Sequence, residues 1–185
     1  RISNRSTVTQ ISVDQIDIQT LSTTNEIVVE GVTDLGALSV ATFEGNDITC
    51  VTVSGNKISI DGTKINSTAY GEGKTLVVRT NLNEDSFVVT ISVALVTKIF
   101  YTADDLDDWW TIMGFKENDR TTYGNGGYYV IGANIEYNRT WDSKWVWINK
   151  NTPGNVVTWN ENGGFNGTFD GRGHYISGMK MGAMP

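Results

Sequence analysis

Residues 164–181 read GFNGTFDGRGHYISGMKM, a run of short β-forming pieces separated by glycines. Gly171, Gly173 and Gly178 can adopt a positive φ or let neighbouring backbones approach closely, so the chain can turn sharp corners at these positions. The apolar side chains that are expected to point inward are Phe165, Phe169, Ile176, Met179 and Met181. This pattern is typical of one rung, meaning one turn of the coil, of a parallel β-solenoid.

The stretch resembles the signature Phe-x-Gly-Thr-Phe-Asp-Gly-x-Gly-His-x-Ile-x-Gly-Leu-x-Ile, which opens many GLUG-type and right-handed β-helix regions of bacterial surface proteins. Two upstream segments are also similar to segments of such proteins: the helix start TADDL at residues 102–106 and the strand YYVIGANIEY at residues 128–137. The resemblance therefore spans residues 99–181 and implies an exported bacterial protein with a β-solenoid. Asn134 departs from the usual Asp, and Met179 and Met181 depart from the usual Leu and Ile.

A solenoid rung needs neighbours, because a single rung cannot bury its own open face. We therefore expect that further rungs follow in the parent protein, or that the preceding domain or a second copy covers this rung. The chain starts at Arg1, carries no signal peptide and ends at Pro185 after a stretch rich in Gly and Met. Targeting and anchoring segments are accordingly expected to lie outside it.

Residues 1–97 form a series of short segments in which Val, Ile, Leu and Phe alternate with polar residues. Turn signals separate these segments about every ten residues. They include Asp61-Gly62 and the polar residues 81–85, where a hairpin is predicted. About seven or eight strands at this spacing indicate a β-sandwich. In pattern and size the segment resembles bacterial immunoglobulin-like domains, without the Cys and Trp signature of antibody domains.

The character of the chain changes near Ile99, and all six Trp residues follow this point. A helix is predicted to begin after Thr102, because Thr is a good N-cap and Asp105 completes a capping box. The apolar stripe of this helix is Leu106, Trp109, Trp110 and Met113, and Gly114 is the predicted stop. Short strands are predicted further on at residues 128–131, 134–137, 145–148 and 156–159.

These patterns predict a mainly all-β fold with two modules. Residues 1–97 are predicted to form an Ig-like β-sandwich. Residues 98–185 are predicted to form a helix-led cap followed by the first rung of a β-solenoid (β-helix).

Composition excludes several classes of function. The net charge is −7, and Lys and Arg are scattered singly, so no nucleic-acid partner is expected, because binding phosphates needs clustered basic residues. No apolar run is long enough to span a bilayer, so no membrane insertion is predicted. Cys50 is the single cysteine, which rules out an intrachain disulfide and a cysteine metal site. We interpret Cys50 as a small buried hydrophobe within a strand.

Aromatic side chains in the second module are the candidate ligand-binding residues. They are Tyr128, Tyr129, Trp141, Trp145, Trp147 and Trp159. Flat rings on an exposed platform can stack on the faces of sugars. The alternative is that these rings form the core of a small domain, since Trp is highly buried on average. Trp145 and Trp147 alternate along a predicted strand and share one face, which suits either interpretation.

The ionisable residues favour structural roles. The acidic cluster is Asp104, Asp105, Asp107 and Asp108, which suggests either a calcium site or helix capping with a solvated face. Capping is favoured, because consecutive helical positions point apart. His174 is interpreted as structural, since a catalytic His needs an orienting group and a nucleophile within reach. Asp170 is interpreted as a turn residue before Gly171. We predict no catalytic residue, no metal and no cofactor.

These expectations favour a non-catalytic module of a bacterial cell surface that serves adhesion, glycan contact or presentation of another domain. The expected location is extracellular, and the expected partner is a glycan or a host or cell-surface protein. One alternative is an ancillary N-terminal part of a carbohydrate-active β-helix enzyme, whose acids and bases would come from several rungs. Another alternative is a structural spacer. Fold-level analogy alone supports this choice of function, and the ligand is left open.

Overall fold

The structure of the chain, a computed structural model, describes residues 6–66, 69–112, 127–141 and 167–181. Contacts divide the chain into two compact units, Arg1–Val96 and Thr97–Pro185. Strands predominate in the described part of both units, so the prediction of a mainly all-β chain is confirmed.

The first unit contains eight strands among its described residues. In chain order they are β1 (Val8–Gln19), β2 (Asn25–Val28), β3 (Ala37–Phe43), β4 (Asn46–Ile48), β5 (Val51–Ser54), β6 (Lys57–Ile60), β7 (Gly71–Leu82) and β8 (Asp85–Val96). A 3-10 helix, Gly62–Lys64, follows β6. The number of strands agrees with the sequence-based expectation, because period-two alternation is a strong signal for strands with one buried face.

These strands form two sheets. The larger sheet has the order β1-β8-β7-β3-β4, and the smaller sheet has the order β2-β6-β5. Strand β1 runs parallel to β8, from Val8 opposite Ser86 to Gln19 opposite Val96, with a bulge between Val13 and Ile16. All other neighbours in these two sheets are antiparallel.

Both sheets contribute to one apolar core, which makes the first unit a β-sandwich. The larger sheet supplies Ile18, Ala41, Phe43, Leu76, Val78, Val89, Ile91, Val93 and Leu95. The smaller sheet supplies Ile27, Val51, Ile58 and Ile60. Along β6 and β7 the buried residues alternate with more exposed ones, as the period of two requires when one face of a sheet meets another sheet.

The two predicted turns behave differently. The hairpin at residues 81–85 is confirmed: Leu82 pairs with Asp85, and Asn83 between them has a φ of 56°. Asp61-Gly62 instead begins the 3-10 helix, so a tight hairpin turn is not formed there. The physical reason is that the Asp61 carboxylate accepts from the backbone N–H of Thr63, at 3.0 Å, and caps a helical turn.

The second unit contains one helix and seven short strands among its described residues. They are β9 (Lys98–Phe100), α1 (Ala103–Ile112), β10 (Tyr128–Ile131), β11 (Ile135–Glu136), β12 (Thr140–Trp141), β13 (Thr168–Asp170), β14 (Ile176–Ser177) and β15 (Lys180–Met181). Strand β10 has the predicted bounds, and β11 lies within the predicted residues 134–137. The other two predicted strands, at 145–148 and 156–159, and the stop at Gly114 lie outside the described residues. The helix is not long and apolar enough to cross a membrane, and the same holds for every helix of the described chain.

Every pair of strands in the described part of the second unit is parallel. Strand β10 lies between β9 and β13, β11 pairs with β14, and β12 pairs with β15. Tyr128 lies opposite Thr168, Ile135 opposite Ile176 and Thr140 opposite Lys180, so partners are 40 or 41 positions apart. The chain therefore passes twice along the same path. Strands β10, β11 and β12 form one pass, and β13, β14 and β15 form the next pass, which lies beside it.

Sharp corners separate the strands of the second pass. After β13 the chain turns at Arg172 and Gly173, with φ of 47° and 76°, and the N–H of His174 donates to the carbonyl of Gly171 at 2.9 Å. After β14 the corner is at Gly178, with a φ of 67°. The expectation of a positive φ thus holds for Gly173 and Gly178, while at the first turn Arg172 adopts it in place of Gly171.

Candidate functional site

The interior of the parallel strands contains an aromatic stack. Tyr129 is fully buried, and its ring lies 6.0 Å from that of Phe100 with an angle of 6° between the planes. Phe169 stacks on the same Phe100 ring at 6.2 Å. Tyr129 is therefore a core residue, and its proposed role in ligand binding is corrected: β10 has both faces covered, so its ring is inaccessible to a ligand. Phe169 joins the stack while 39% of its surface stays exposed.

Tyr128, the neighbouring candidate, is partly buried and engages the turn that follows β13. Its hydroxyl donates to Asp170 Oδ2 at 2.5 Å, and Asp170 Oδ1 accepts from the N–H of Arg172 at 2.9 Å. The Tyr128 hydroxyl, the Arg172 N–H and the Arg172 charge together lower the pKa of Asp170 below its usual value. The turn role predicted for Asp170 agrees with these bonds, and Tyr128 supports that turn.

The side chains of the tryptophan candidates lie outside the described part of the chain. Trp141 contributes its backbone to β12, and its side chain lies outside the described part of the chain. Trp145, Trp147 and Trp159 lie wholly outside the described residues. Their proposed stacking on sugars accordingly stays a prediction.

The start of α1 shows the predicted capping box. The hydroxyl of Thr102 accepts from the N–H of Asp105 at 3.1 Å, and Asp105 Oδ2 accepts from the N–H of Thr102 at 3.0 Å. The same carboxylate also accepts from the N–H of Tyr101 at 2.7 Å. Three backbone donors that would lack helical partners are satisfied in this way.

Arg139 forms ion pairs with two other aspartates of the acidic cluster, Asp104 and Asp107. Its Nη1 lies 2.7 Å from Asp104 Oδ1 and 2.6 Å from Asp107 Oδ2, while the hydroxyl of Tyr137 donates to the other oxygen of Asp107. These bonds raise the pKa of Arg139, which stays charged. No group of three or more His, Cys, Asp or Glu that could hold a metal occurs in the described part of the chain. The capping bonds of Asp105 and the ion pairs of Asp104 and Asp107 agree with the favoured structural interpretation of the cluster, and Arg139 adds a partner that the sequence did not indicate.

His174 lies at the corner between β13 and β14 and is exposed. Its Nδ1 is 3.3 Å from Asn134 Oδ1, and the N–H of Tyr175 donates to the same oxygen at 3.2 Å. Because a carboxamide oxygen only accepts, the imidazole donates through Nδ1–H. The imidazole belongs to the turn, as predicted, although it is not buried.

Two exposed tyrosines at this corner were not among the sequence candidates. Tyr101 is 51% exposed and Tyr175 is 52% exposed. The ring of Tyr101 lies across Gly132, where an added Cβ would come within 2.5 Å of Tyr101 Cε1. The sequence contains only a weak signal for their exposure, because a tyrosine at the end of a short strand is equally compatible with burial or exposure.

A separate pocket of about 350 Å³ opens on the first unit. Its apolar lining residues are Phe43, Ile48 and Ile65, of which Phe43 and Ile65 are buried. The other lining residues are polar or charged: Glu44, Asn46, Asp47, Thr49, Lys64 and Asn66. The mixture of apolar and polar groups suits a small amphipathic molecule.

Cys50 is half-buried and packs against the core of the first unit, in the connection between β4 and β5 rather than within a strand. Burial raises the pKa of its thiol, with a further contribution from the Asp61 charge. The thiol is therefore a poor nucleophile near neutral pH, in agreement with its interpretation as a small hydrophobe.

Comparison of the chain with models of protein families, with curated proteins and with solved structures gives no match.

Proposed function

We propose that this chain is a non-catalytic module of a bacterial cell surface, in which an Ig-like β-sandwich precedes the start of a β-solenoid that contacts glycans or surface proteins. The observation that carries the proposal is the parallel pairing of three successive strands with the three that follow 40 or 41 residues later. This pairing involves residues 128–141 and 167–181, which contain the strand segment 128–137 and most of the stretch 164–181, two of the three segments that resemble bacterial surface proteins.

The strand order of the first unit supports an Ig-like assignment. In an Ig domain the second, fourth and fifth strands of the basic set (B, D and E) share one sheet, and the strands C, F and G share the other. Here β2, β6 and β5 form one sheet, and β3, β7 and β8 lie together in the other, extended by β1 and β4. Strand β1 pairs in parallel with β8 and forms one edge of the larger sheet, whereas the first strand of a constant-type Ig domain lies in the sheet of B, D and E.

The hydrogen bonds at the corners support a solenoid. Between successive passes, the N–H of Ile135 donates to Tyr175 O at 2.9 Å, and the N–H of Lys180 donates to Arg139 O at 3.0 Å. The interior holds large side chains that stack from pass to pass, as Tyr129 does on Phe100. Repeated parallel pairing with stacked interior side chains is how solenoid rungs stabilise one another.

The engagement of the ionisable side chains supports a non-catalytic role. Asp104 and Asp107 bind Arg139, Asp105 caps the helix, and Asp170 holds a turn. A general acid or base must instead be free to exchange a proton with a substrate. Since these four carboxylates already have protein partners, they favour a structural role.

The proposal is tested by applying the purified chain to an array of bacterial and host glycans and to immobilised host-cell surfaces. The same oligosaccharides are incubated with the chain and their reducing ends are counted. Specific binding with unchanged substrates supports a non-catalytic contact module. Release of new reducing or unsaturated ends would contradict it in favour of the enzymatic alternative. Absence of binding to every glycan and cell surface would contradict it in favour of a spacer.

A further inference from the structure

Two half-exposed tyrosines lie at one corner of the second unit, on the two passes of the chain that flank the pass containing β10 and β11. Tyr101 directly follows β9, whose Phe100 lies opposite Ile131, so Tyr101 lies beside Gly132. Tyr175 directly precedes β14, whose Ile176 lies opposite Ile135, so Tyr175 lies beside Asn134. The short segment between β10 and β11 is thus flanked by one tyrosine on each side.

The position of the Tyr101 ring is determined by the missing side chain at Gly132. An added Cβ there would approach Tyr101 Cε1 at 2.5 Å and Ile99 Cγ2 at 2.6 Å, so the ring and Ile99 fill the space that a side chain would need. The backbone N–H of Tyr101 is also held by Asp105 at 2.7 Å. A ring held in this way loses little conformational entropy when a ligand binds, which favours binding.

The corner also offers hydrogen-bonding groups beside Tyr175. Asn134 Oδ1 accepts from the N–H of Tyr175 and from the imidazole of His174. Within the part of the chain that the structure describes, Asn134 Nδ2 and His174 Nε2 have no protein partner. Nδ2 is a donor, and Nε2 of the neutral ring is an acceptor, so this corner can both donate to and accept from a hydroxyl group.

The two tyrosines are separated in the direction in which the parallel strands stack on one another. Neighbouring strands lie about 4.8 Å apart, so the backbones that carry the two rings are about two strand spacings, or roughly 10 Å, apart in that direction. A ligand that suits this surface is elongated, has flat apolar faces, and has hydroxyl groups at its edges. These are the properties of a short chain of linked sugar rings.

We propose that Tyr101, Asn134, His174 and Tyr175, named here the tyrosine ridge, form a binding site for a neutral oligosaccharide. The proposal rests on the glycan-contact function proposed above and assigns that contact to the ridge in place of the tryptophan candidates. Each ring stacks on a sugar face, while Asn134 and His174 bind hydroxyl groups. The proposal is for a neutral oligosaccharide, because the contacts it uses are ring stacking and hydrogen bonds to hydroxyl groups.

The test uses the whole chain with ¹³C-labelled tyrosine rings, titrated with neutral hexasaccharides: cellohexaose, laminarihexaose, chitohexaose and mannohexaose. With a hexasaccharide that binds, we expect shifts of the Tyr101 and Tyr175 ring signals, and none of the buried Tyr129. Tyr101→Ala and Tyr175→Ala should each weaken binding about two- to thirteenfold in calorimetry, since a stacked ring contributes about 0.5–1.5 kcal/mol. Tyr175→Phe keeps the ring face and should retain most of the affinity. Leu38→Ala, at a 37% exposed position of the first unit, is the matched control and should change nothing.

The outcomes separate the ridge from the proposed function. If a hexasaccharide binds with unchanged Tyr101 and Tyr175 signals, or equally well to both alanine variants, the ridge is overturned while glycan contact stands. If no neutral hexasaccharide binds but the chain binds an acidic glycan or a surface protein, the ridge is again overturned and the surface-module function stands. The ring signals of the unmodified chain decide the matter even if an alanine variant fails to fold.

Discussion

Replacement of two corner glycines by alanine separates backbone strain from steric overlap in the second unit. Gly178 has a φ of 67°, and an added Cβ there would overlap Asn138 Oδ1 and lie 3.1 Å from Asn138 Cα. Gly173 has a φ of 76°, and an added Cβ there would meet nothing within 4 Å. Both substitutions put an L side chain in the left-handed region, and only Gly178→Ala adds a steric contact.

The expected losses in the free energy of unfolding follow from the backbone strain and the steric overlap. An L residue in the left-handed region costs about 1–2 kcal/mol, which is the whole expected effect of Gly173→Ala. In Gly178→Ala the Asn138 side chain must also leave its rotamer, which costs about 0.5–1.5 kcal/mol more. The free energy of unfolding should therefore fall by about 1.5–3.5 kcal/mol in Gly178→Ala, clearly more than in its control.

Urea unfolding followed by tryptophan fluorescence measures this difference. All six tryptophans lie between Trp109 and Trp159, within the second unit, so their emission reports on that unit and not on the first. A third variant, Asn138→Gly, removes the overlapping side chain. In its background, the cost of Gly178→Ala should fall towards that of Gly173→Ala, and the double-mutant cycle gives the part of the steric cost that comes from the Asn138 side chain.

Equal destabilisation by the two alanine substitutions would refute the reasoning. It would mean that the second corner does not bring Gly178 against Asn138, and hence that the pass containing β11 and β12 does not stack on the pass containing β14 and β15. Failure of Asn138→Gly to reduce the cost of Gly178→Ala would have the same meaning.

Three further predictions concern single groups. Tyr128→Phe should raise the pKa of Asp170 towards 3.8, as measured by carboxyl NMR titration. Because the folded-state pKa is lowered, Asp170 stabilises the fold above its unfolded pKa, and this contribution is lost as the pH falls through the folded value. If the native chain and Tyr128→Phe lose the same stability on acidification, this prediction is contradicted. Thr102→Ala should cost about 1 kcal/mol in urea unfolding, because the N–H of Asp105 loses its acceptor, and an unchanged midpoint would exclude a capping role. Cys50 in the native chain should react with iodoacetamide more slowly at pH 7 than in urea, and fast native labelling would contradict its raised thiol pKa.

The elements that sequence patterns predicted well are those determined by local interactions. The run Tyr128–Ile131 became β10 with the predicted bounds, because four consecutive apolar or aromatic residues suit a strand that is covered on both faces. The capping box at Thr102 and Asp105 was likewise predictable, since its partners are three residues apart. In the first unit, period-two alternation indicated the strands of a sandwich without its strand order.

The arrangement of the candidate site was less predictable, because it depends on contacts between distant residues. Arg139 binds aspartates that precede it by 32 and 35 positions, and no local pattern pairs them. Tyr129 looked like a possible platform for sugars, but its ring faces Phe100 in the interior. Tyr101 attracted no notice in the sequence, because its ring lies over Gly132 of the neighbouring pass, a contact that no local pattern indicates.

By itself, the sequence determined the local conformations: where strands alternate, where the helix is capped, and where glycines permit a corner. These depend on backbone sterics and on hydrogen bonds between residues close in the chain. Only the tertiary structure decided which aromatic rings are buried and which reach solvent. The direction of a side chain is set by strand pairing across about 40 residues, and a shift of one residue in that register would turn an inward ring outward.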